Sequence, residues 1–253
     1  KRFPDLSLSL SSDLAPEIRE YPRMVTTAAN AYVRPLMAGY LGRLRSRLKQ
    51  AGIACPVYMI HSGGGLVSVE TASAFPVRLV ESGPAGGAIF AAHFAEKFGL
   101  DAVLSYDMGG TTAKICLIDD RTPQMAPSFE VARSLRFIKG SGMPITIPVI
   151  EMIEIGAGGG SIAWIDAMGR IRTGPESAAS EPGPACYGRG GSRPTITDAD
   201  LVTGKIDPLK FAGGKIVLDG QAATEAIERD VGSPLRMGPL AAAFGICEVV
   251  DEN

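Results

Sequence analysis

The sequence contains the stretch Asp107-Met-Gly-Gly-Thr-Thr112 between the largely apolar segments 101–106 and 113–118. Both segments have the length and composition of strands, so the stretch is predicted to be a tight turn between them. Its two glycines lack a Cβ atom, and their backbone amides can therefore come close to negatively charged oxygen atoms. The alternative is an ordinary hairpin turn that binds no ligand.

Each residue of this turn has a chemical role if the ligand is a phosphate group. Gly109 and Gly110 present backbone amides, and the hydroxyl groups of Thr111 and Thr112 add hydrogen-bond donors. Asp107, at the end of the preceding strand, can hold Mg²⁺ through water, and the metal neutralises the phosphates. Asp107 is therefore the candidate catalytic and metal-binding residue. The spacing of a Walker loop is absent, so the turn is not a P-loop.

A second glycine-rich stretch, Gly156-Ala-Gly-Gly-Gly-Ser161, follows the strand-like segment 145–155. Its backbone amides can bind a phosphate, a ribose or a substrate carboxylate. The alternative is a tight bend between two sheet segments. The candidate ligand-binding residues of this stretch are Gly156, Gly158, Gly159, Gly160 and Ser161.

Further polar residues allow two interpretations each. Lys114 is a candidate cofactor-binding residue that neutralises a phosphate as a point charge, or it is a solvated strand residue. His61 is a general acid or base, or a structural hydrogen-bonding group. Glu151 and Glu154 are acid–base groups, or solvated or ion-paired carboxylates. Cys186 is a nucleophile or a buried thiol.

The periodicity of the rest of the chain predicts alternating strands and helices, which is typical of an α/β fold. Predicted strands lie at 5–10, 56–61, 78–80, 101–106, 113–118, 129–136 and 145–155, with a hairpin formed by 162–166 and 170–173. Predicted helices lie at 24–50, 68–75, 85–98, 198–203, 220–230 and 239–251. Pro35 predicts a break or kink in the first long helix.

Composition narrows the functional class. The formal net charge is -2, which does not suggest nucleic acid or an anionic membrane as a partner. No run approaches the ~20 apolar residues of a membrane helix. Two histidines, and cysteines without a CxxC pair, leave little material for a transition-metal site. Cys55, Cys116 and Cys247 are predicted to be buried free thiols, and a chain start that does not resemble a signal peptide favours a cytoplasmic location.

Six blocks of this sequence, in this order, resemble those of the hydantoinase A/oxoprolinase family. They are His61-Ser-Gly-Gly-Gly-Leu66, Val80-Glu-Ser-Gly-Pro-Ala-Gly-Gly87, Ser105-Tyr-Asp-Met-Gly-Gly-Thr-Thr112, Ile153-Glu-Ile-Gly-Ala-Gly-Gly-Gly-Ser161, Pro182-Gly-Pro-Ala-Cys-Tyr-Gly-Arg-Gly-Gly191 and Thr195-Ile-Thr-Asp-Ala-Asp200. Each block alone is a weak signal, but six in order over nearly the whole chain are specific. The third block also resembles the phosphate motif that opens the second half of the actin, Hsp70 and sugar-kinase ATPase fold.

The resemblance implies an α/β fold: a ribonuclease H-like half of that ATPase superfamily with a glycine-rich β portion. It implies one hydantoinase A-type domain over residues 1–253, as a fragment of a larger subunit. The family uses ATP and Mg²⁺ to phosphorylate a ring carbonyl oxygen of a small cyclic amide before hydrolysis, and a hydantoinase B-type subunit or domain is the implied partner. Two alternatives stay open, a subunit of an ATP-dependent ketone carboxylase and a non-catalytic assembly domain of such a complex.

Two features depart from the family pattern. The family commonly continues the phosphate motif with Thr-Asp, where this sequence has Ala113-Lys114. This change removes a carboxylate on the metal side and adds a cation. The family's own first half, with a further phosphate loop, does not precede the blocks found here, so the chain is expected to be inactive alone.

Overall fold

The computed structural model describes residues 6–133 and 140–252. The α-helices of these residues are Ser11–Leu14 (α1), Glu20–Gln50 (α2), Val69–Ala74 (α3), Ser82–Phe98 (α4), Ile196–Val202 (α5), Gly220–Ile227 (α6), Ser233–Leu235 (α7) and Pro239–Asp251 (α8). The strands are Tyr58–Ile60 (β1), Leu66–Ser68 (β2), Ala102–Met108 (β3), Ala113–Asp119 (β4), Thr122–Pro123 (β5), Met125–Ala126 (β6), Phe129–Val131 (β7), Met143–Ile145 (β8), Val149–Ile150 (β9), Ile153–Ile155 (β10), Ser161–Ile165 (β11) and Ile171–Ser177 (β12). Short 3-10 turns lie at Pro76–Leu79, Ala185–Tyr187 and Phe211–Gly214, and a π-helical turn lies at Glu228–Gly232.

The backbone contacts of the chain cluster into two compact units. The first unit comprises Lys1–Ser105 and Cys116–Met152, and the second comprises Tyr106–Ile115 and Ile153–Asn253. The prediction of one domain over residues 1–253 stays a prediction, because such clustering does not test whether the units fold separately.

In the first unit, small side chains let helix α4 lie close to the strands beneath it. The residues that pack there are Ala85, Ala88 and Ala92 of α4, Cys116 and Ile118 of β4, and Ile150 of β9. Helix α2 is held by buried Asn30, whose side-chain amide donates to the Ala74 carbonyl at 3.1 Å and whose Oδ1 accepts from the Val77 amide at 3.3 Å. Antiparallel pairs β1–β2, β6–β9 and β7–β8 complete the unit.

In the second unit, α5 and α8 pack with the antiparallel hairpin of β11 and β12. Its core consists of Ala157, Ala163, Ile196, Ala199, Ile227, Val231, Ala242, Ala243, Ile246 and Cys247. Met108, at the end of β3, and Ile155, at the end of β10, pack against this core. The core therefore holds the two residues from which both glycine-rich loops begin.

The pairing of β10 with β4 brings the two loops to one edge. The strands are antiparallel, with Ile155 opposite Ala113 and Ile153 opposite Ile115. The loop that precedes Ala113 and the loop that follows Ile155 therefore emerge at the same end of this strand pair.

Most of the predicted elements are confirmed. Helix α4, strands β3 and β4 and the hairpin of β11 and β12 lie where the sequence predicts them, and α5, α6 and α8 match the three helices predicted after residue 195. The segment 145–155 contains three short strands and not one. Strand β7 covers part of 129–136, of which 134–136 lie outside the described residues.

Four local predictions are wrong. Residues 6–10 form no strand, since their alternating leucines have no partner strand to pair with, and α1 follows directly. Residues 76–79 form a 3-10 turn that begins at Pro76, so 78–80 is not a strand. Helix α2 continues through Pro35, so the predicted break is wrong, whereas a kink at this residue stays a prediction. Cys55 is exposed, whereas Cys116 and Cys247 are buried.

Among the described residues, no helix combines the length and the apolar character that crossing a membrane requires.

Candidate functional site

The aspartate loop, residues 107–112, is the predicted turn between β3 and β4. The amide of Gly109 donates to the carbonyl of Thr112 at 2.9 Å and closes it. Asp107, Gly110 and Thr111 are exposed, and a Cβ atom added at Gly110 would meet nothing within 4 Å. This loop therefore offers a short stretch of open backbone to the solvent.

The glycine loop, residues 156–161, packs against the aspartate loop backbone to backbone. The Gly159 amide donates to the Gly109 carbonyl at 3.0 Å, and the Gly160 amide donates to the Gly110 carbonyl at 2.7 Å. A Cβ atom at Gly158 would lie 2.5 Å from the Thr111 nitrogen, closer than real Cβ atoms come. Glycine is required here because the backbones of the two loops are in contact.

Four amides of the glycine loop donate inside the protein. Besides the two bonds to the aspartate loop, the Gly158 amide donates to Ser161 Oγ at 2.9 Å and the Ser161 amide donates to the Gly158 carbonyl at 2.8 Å. The structure thus assigns Gly158, Gly159, Gly160 and Ser161 to support of the aspartate loop. Direct ligand binding by these residues and by Gly156 stays a prediction.

The hydrogen bonds between the loops fix the direction of two amides in the aspartate loop. A trans peptide unit is planar, and its N–H points opposite to its C=O. The carbonyls of Gly109 and Gly110 point at the glycine loop, so the amides of Gly110 and Thr111 point away from it. Within the described residues, neither amide donates to a protein acceptor. Two adjacent free amides on one side of a turn suit the oxygen atoms of an anion.

Lys114 lies on β4 directly opposite Glu154 of β10. Its Nζ is 3.9 Å from Glu154 Oε1, and only 14% of its side chain is exposed. Lys114 is therefore a partly buried, ion-paired strand residue and not a solvated one. Its role towards a phosphate stays a prediction.

His61, in the first unit, has a structural role. Its Nδ1 accepts from the Gly63 amide at 3.0 Å, and the ring lies so close to Gly65 that a Cβ there would be 2.6 Å from Nε2. Burial, and then the charge of Arg78, lower the pKa of His61. The imidazole is therefore neutral near pH 7.

Cys186 is a buried, unreactive thiol and not an activated nucleophile. Its side chain is fully buried, and burial, followed by the negative charge of Asp198, raises its pKa far above the usual range for a thiol. The thiolate needed for nucleophilic attack is therefore not formed at physiological pH.

Sequence reasoning missed the N-terminus of α5 as part of the site. Thr195 caps this helix, and the buried Asp198 side chain accepts from the Thr195 amide at 2.8 Å in a capping box. Thr197, in the first turn, donates to the glycine loop through its amide and its hydroxyl, each 2.8 Å from the Gly159 carbonyl oxygen. A Thr-x-x-Asp pattern before an apolar run is a capping-box signal, and it was available in the sequence.

Comparison with known proteins places the chain among its relatives. The family model described as hydantoinase/oxoprolinase matches residues 23–253. An uncharacterised protein of Methanocaldococcus jannaschii is 41% identical over 87% of this chain and 32% of its own length. Caprolactamase subunit alpha of Pseudomonas jessenii is 36% identical over 98% of this chain and 34% of its own. Acetophenone carboxylase gamma subunit of Aromatoleum aromaticum is 34% identical over 96% of this chain and 32% of its own length.

Two solved structures share the fold. A nucleotide-free structure of acetone carboxylase superposes with a TM-score of 0.81 at 27% identity, covering 96% of this chain and 33% of that one. The ATP-dependent caprolactamase of Pseudomonas jessenii superposes with a TM-score of 0.69 at 35% identity, covering 96% of this chain and 34% of that one. The predicted α/β class is confirmed. The chain spans about a third of the length of the curated relatives it matches.

Proposed function

Since the chain belongs to the hydantoinase/oxoprolinase family, we propose that its aspartate loop binds the phosphate groups of Mg-ATP in an enzyme that opens cyclic amides. One observation carries the proposal. The free amides of Gly110 and Thr111 point to the same side of an exposed turn, and no Cβ covers Gly110. This arrangement supports close approach of phosphate oxygens to the backbone.

Asp107 is the proposed metal residue of this loop. It is exposed at the end of β3, next to the two amides. No group of three or more histidine, cysteine, aspartate or glutamate side chains capable of holding a metal lies within the described residues. Mg²⁺ keeps several waters and takes one or two carboxylates together with phosphate oxygens, so a single exposed carboxylate such as that of Asp107 fits this ion. The ion would neutralise the phosphates there, and Asp107 would hold it through water.

The proposed reaction transfers the γ-phosphate of ATP to the ring carbonyl oxygen of a lactam or imide. Water then adds to the activated carbon and the ring C–N bond breaks, which leaves an acyl phosphate. A second water hydrolyses this acyl phosphate, and phosphate leaves with the former carbonyl oxygen. For a lactam, the balance is ATP, lactam and two waters in, and ADP, phosphate and the open amino acid out. Relatives named caprolactamase and 5-oxoprolinase support this class of substrate.

This chain corresponds to about a third of the length of its relatives. The remaining parts of the enzyme are proposed to complete the reaction. Relatives of the chain are named as the alpha subunit of caprolactamase and the gamma subunit of acetophenone carboxylase. These names support a complex of several subunits, in which a hydantoinase B-type subunit or domain is the proposed partner.

Carboxylation of a ketone is the second candidate. The observation in its favour is the TM-score, which is higher for acetone carboxylase than for caprolactamase although the sequence identity is lower. Both candidates use the same nucleotide site and differ in the group that receives the phosphate. Phosphate release with a lactam, measured against release with a ketone and bicarbonate, separates the two in the assembled complex.

The nucleotide site itself is tested by titrating Mg-ADP and Mg-ATP into the chain while following assigned backbone amide signals by NMR. We expect the signals of Gly110 and Thr111 to shift, and we expect Asp107→Asn to weaken binding about 10-fold, the effect of ~1.4 kcal/mol. The matched control is Asp101→Asn, since Asp101 is an exposed aspartate that precedes β3 at its opposite end. This control should bind like the wild type.

Two results would count against the site. One is a folded chain in which neither nucleotide shifts Gly110 or Thr111. The other is equal binding by Asp107→Asn and the wild type. Either result would favour the assembly-domain alternative, in which the loops only shape an interface.

A further inference from the structure

We propose that Thr197, in the first turn of α5, is a positioning residue that orients the amide of Thr111 through two hydrogen-bonded peptide units. The proposal rests on the proposed function only in taking phosphate as the group that this amide meets. The positioning itself is a property of the chain without any ligand.

The first link joins Thr197 to the glycine loop. The Thr197 amide and hydroxyl both donate to one acceptor, the carbonyl oxygen of Gly159, and each distance is 2.8 Å. Thr197 is 5% exposed, so water does not compete for these bonds. A Cβ atom at Gly159 would lie 2.8 Å from the Thr197 hydroxyl oxygen, which shows how closely helix and loop approach.

The second link passes through the peptide unit between Gly159 and Gly160. Thr197 donates to its C=O end, and its N–H end, which belongs to Gly160, donates to the Gly110 carbonyl at 2.7 Å. The two ends of a trans peptide point in opposite directions. This unit therefore relays the position of Thr197 to the aspartate loop.

The third link is the peptide unit between Gly110 and Thr111. Its carbonyl is held by Gly160, so its N–H, that of Thr111, points away from the glycine loop. The peptide unit Gly159–Gly160 and the peptide unit Gly110–Thr111 thus form a row that begins at α5. The N–H end of each peptide unit points away from α5, towards the exposed side. Hydrogen bonds in series polarise one another, so Thr197 strengthens the donor at the end of the row as well as fixing its direction.

Helix α5 is a rigid base for this row. The fully buried Asp198 carboxylate accepts from the amides of Ala185, Cys186 and Thr195 and from the Thr195 hydroxyl, at 2.7 to 3.2 Å. These bonds fix the turn that contains Thr197 to a second segment of the chain. The Thr197 side chain adds a second donor to the acceptor that the Thr197 backbone amide already uses, which a side chain that only filled space would not do.

The test compares Thr197→Val, which keeps the shape and removes the hydroxyl donor, with Thr197→Ser, which keeps the donor. Amide hydrogen exchange reports each hydrogen bond without any ligand. We expect the Gly160 amide to exchange roughly 5- to 10-fold faster in Thr197→Val, the effect of losing about one hydrogen bond. The amides of Ala242 and Ile246, buried in α8, should keep their rates, and Thr197→Ser should restore the rate of Gly160.

The second measurement titrates inorganic pyrophosphate and follows the Gly110 and Thr111 signals. We expect weaker binding by Thr197→Val and recovery by Thr197→Ser. Two results would overturn the proposal. One is a Gly160 amide that exchanges in Thr197→Val at the wild-type rate, and the other is an equal increase in the exchange rates of the Ala242 and Ile246 amides. Faster exchange of Gly160 alone, with no pyrophosphate binding by any variant, would retain the positioning role and refute the nucleotide site. If Thr197→Val does not fold, Thr197→Ala makes the same comparison.

Discussion

The aspartate loop and the glycine loop look alike in sequence and differ in what their glycines do. In the aspartate loop, a Cβ atom at Gly110 would meet nothing within 4 Å, and at Gly109 its nearest contact would be 3.6 Å away. In the glycine loop, a Cβ atom at Gly158 would lie 2.5 Å from backbone, and at Gly160 it would lie 2.8 Å from the Gly110 carbonyl oxygen. One loop is open, and the other is filled by its neighbour.

Clustered glycine therefore has two different structural causes in this chain. It leaves room for a ligand in one loop and for another part of the backbone in the second. What separates the cases is where the amides donate. Those of Gly158, Gly159 and Gly160 donate inside the protein, whereas those of Gly110 and Thr111 do not within the described residues.

The largest expected effect contrasts the two aspartates associated with these loops. Asp198→Asn places an NH₂ group against at least one N–H donor, because both carboxylate oxygens accept hydrogen bonds. We expect a loss of about 3 kcal/mol in the free energy of unfolding measured at the second unit's tryptophan. Asp107→Asn, at an exposed position, should change it by less than ~0.5 kcal/mol.

The only tryptophan of the chain, Trp164, lies on β11 in the second unit and reports this unfolding by fluorescence. Denaturant midpoints of the two variants are compared with that of the wild type. A loss below ~1 kcal/mol for Asp198→Asn would contradict the buried-carboxylate account of α5.

The next effect tests the glycines themselves. Gly158→Ala forces a Cβ into the Thr111 backbone, and we expect a loss of about 2 kcal/mol from overpacking. Gly110→Ala has open space around it and should keep wild-type stability while weakening Mg-ADP binding, because the methyl group keeps phosphate oxygens away. Trp164 fluorescence measures the first change and NMR titration the second. If both variants lost stability equally, the contrast between the loops would be wrong.

The smallest effect concerns the strands that lead to the loops. Glu154→Gln removes one charge of the Lys114 pair, in which the Glu154 side chain is 56% exposed. We expect a loss below ~1 kcal/mol, because water screens the exposed carboxylate, and a smaller loss at high salt. Glu176→Gln, in the exposed pair with Arg193, is the matched control. A loss above ~2 kcal/mol would contradict a merely supporting ion pair.

The sequence predicts those parts of the fold that depend on local pattern. The turn at 107–112 follows from two flanking apolar segments, and α4 follows from its own alanine-rich composition; both are confirmed. The strand predicted at 5–10 is wrong over its described residues, 6–10. Alternation supplies a face, but a strand also needs a neighbour, and no short-range pattern predicts whether one is available.

The candidate site also has a part that a local sequence motif predicts and a part that depends on contacts between distant residues. Asp107 and Gly110 lie in an exposed turn as their motif predicts, although their ligand stays a prediction. The supporting role of Gly159 depends on hydrogen bonds to residues far away in the sequence, on one side to Gly109 and on the other to Thr197. Such pairings follow from how β4 and β10 align, which single-sequence reasoning does not determine.

The second unit is discontinuous in the chain, and this has a consequence for biosynthesis. The segment Tyr106–Ile115 emerges from the ribosome before Ile153 and everything after it. During that interval the carbonyls of Gly109 and Gly110 have not yet met the amides that later hold them, and α5 does not yet exist. The aspartate loop is thus synthesised well before the residues that hold it, and it acquires these hydrogen bonds only after they have followed.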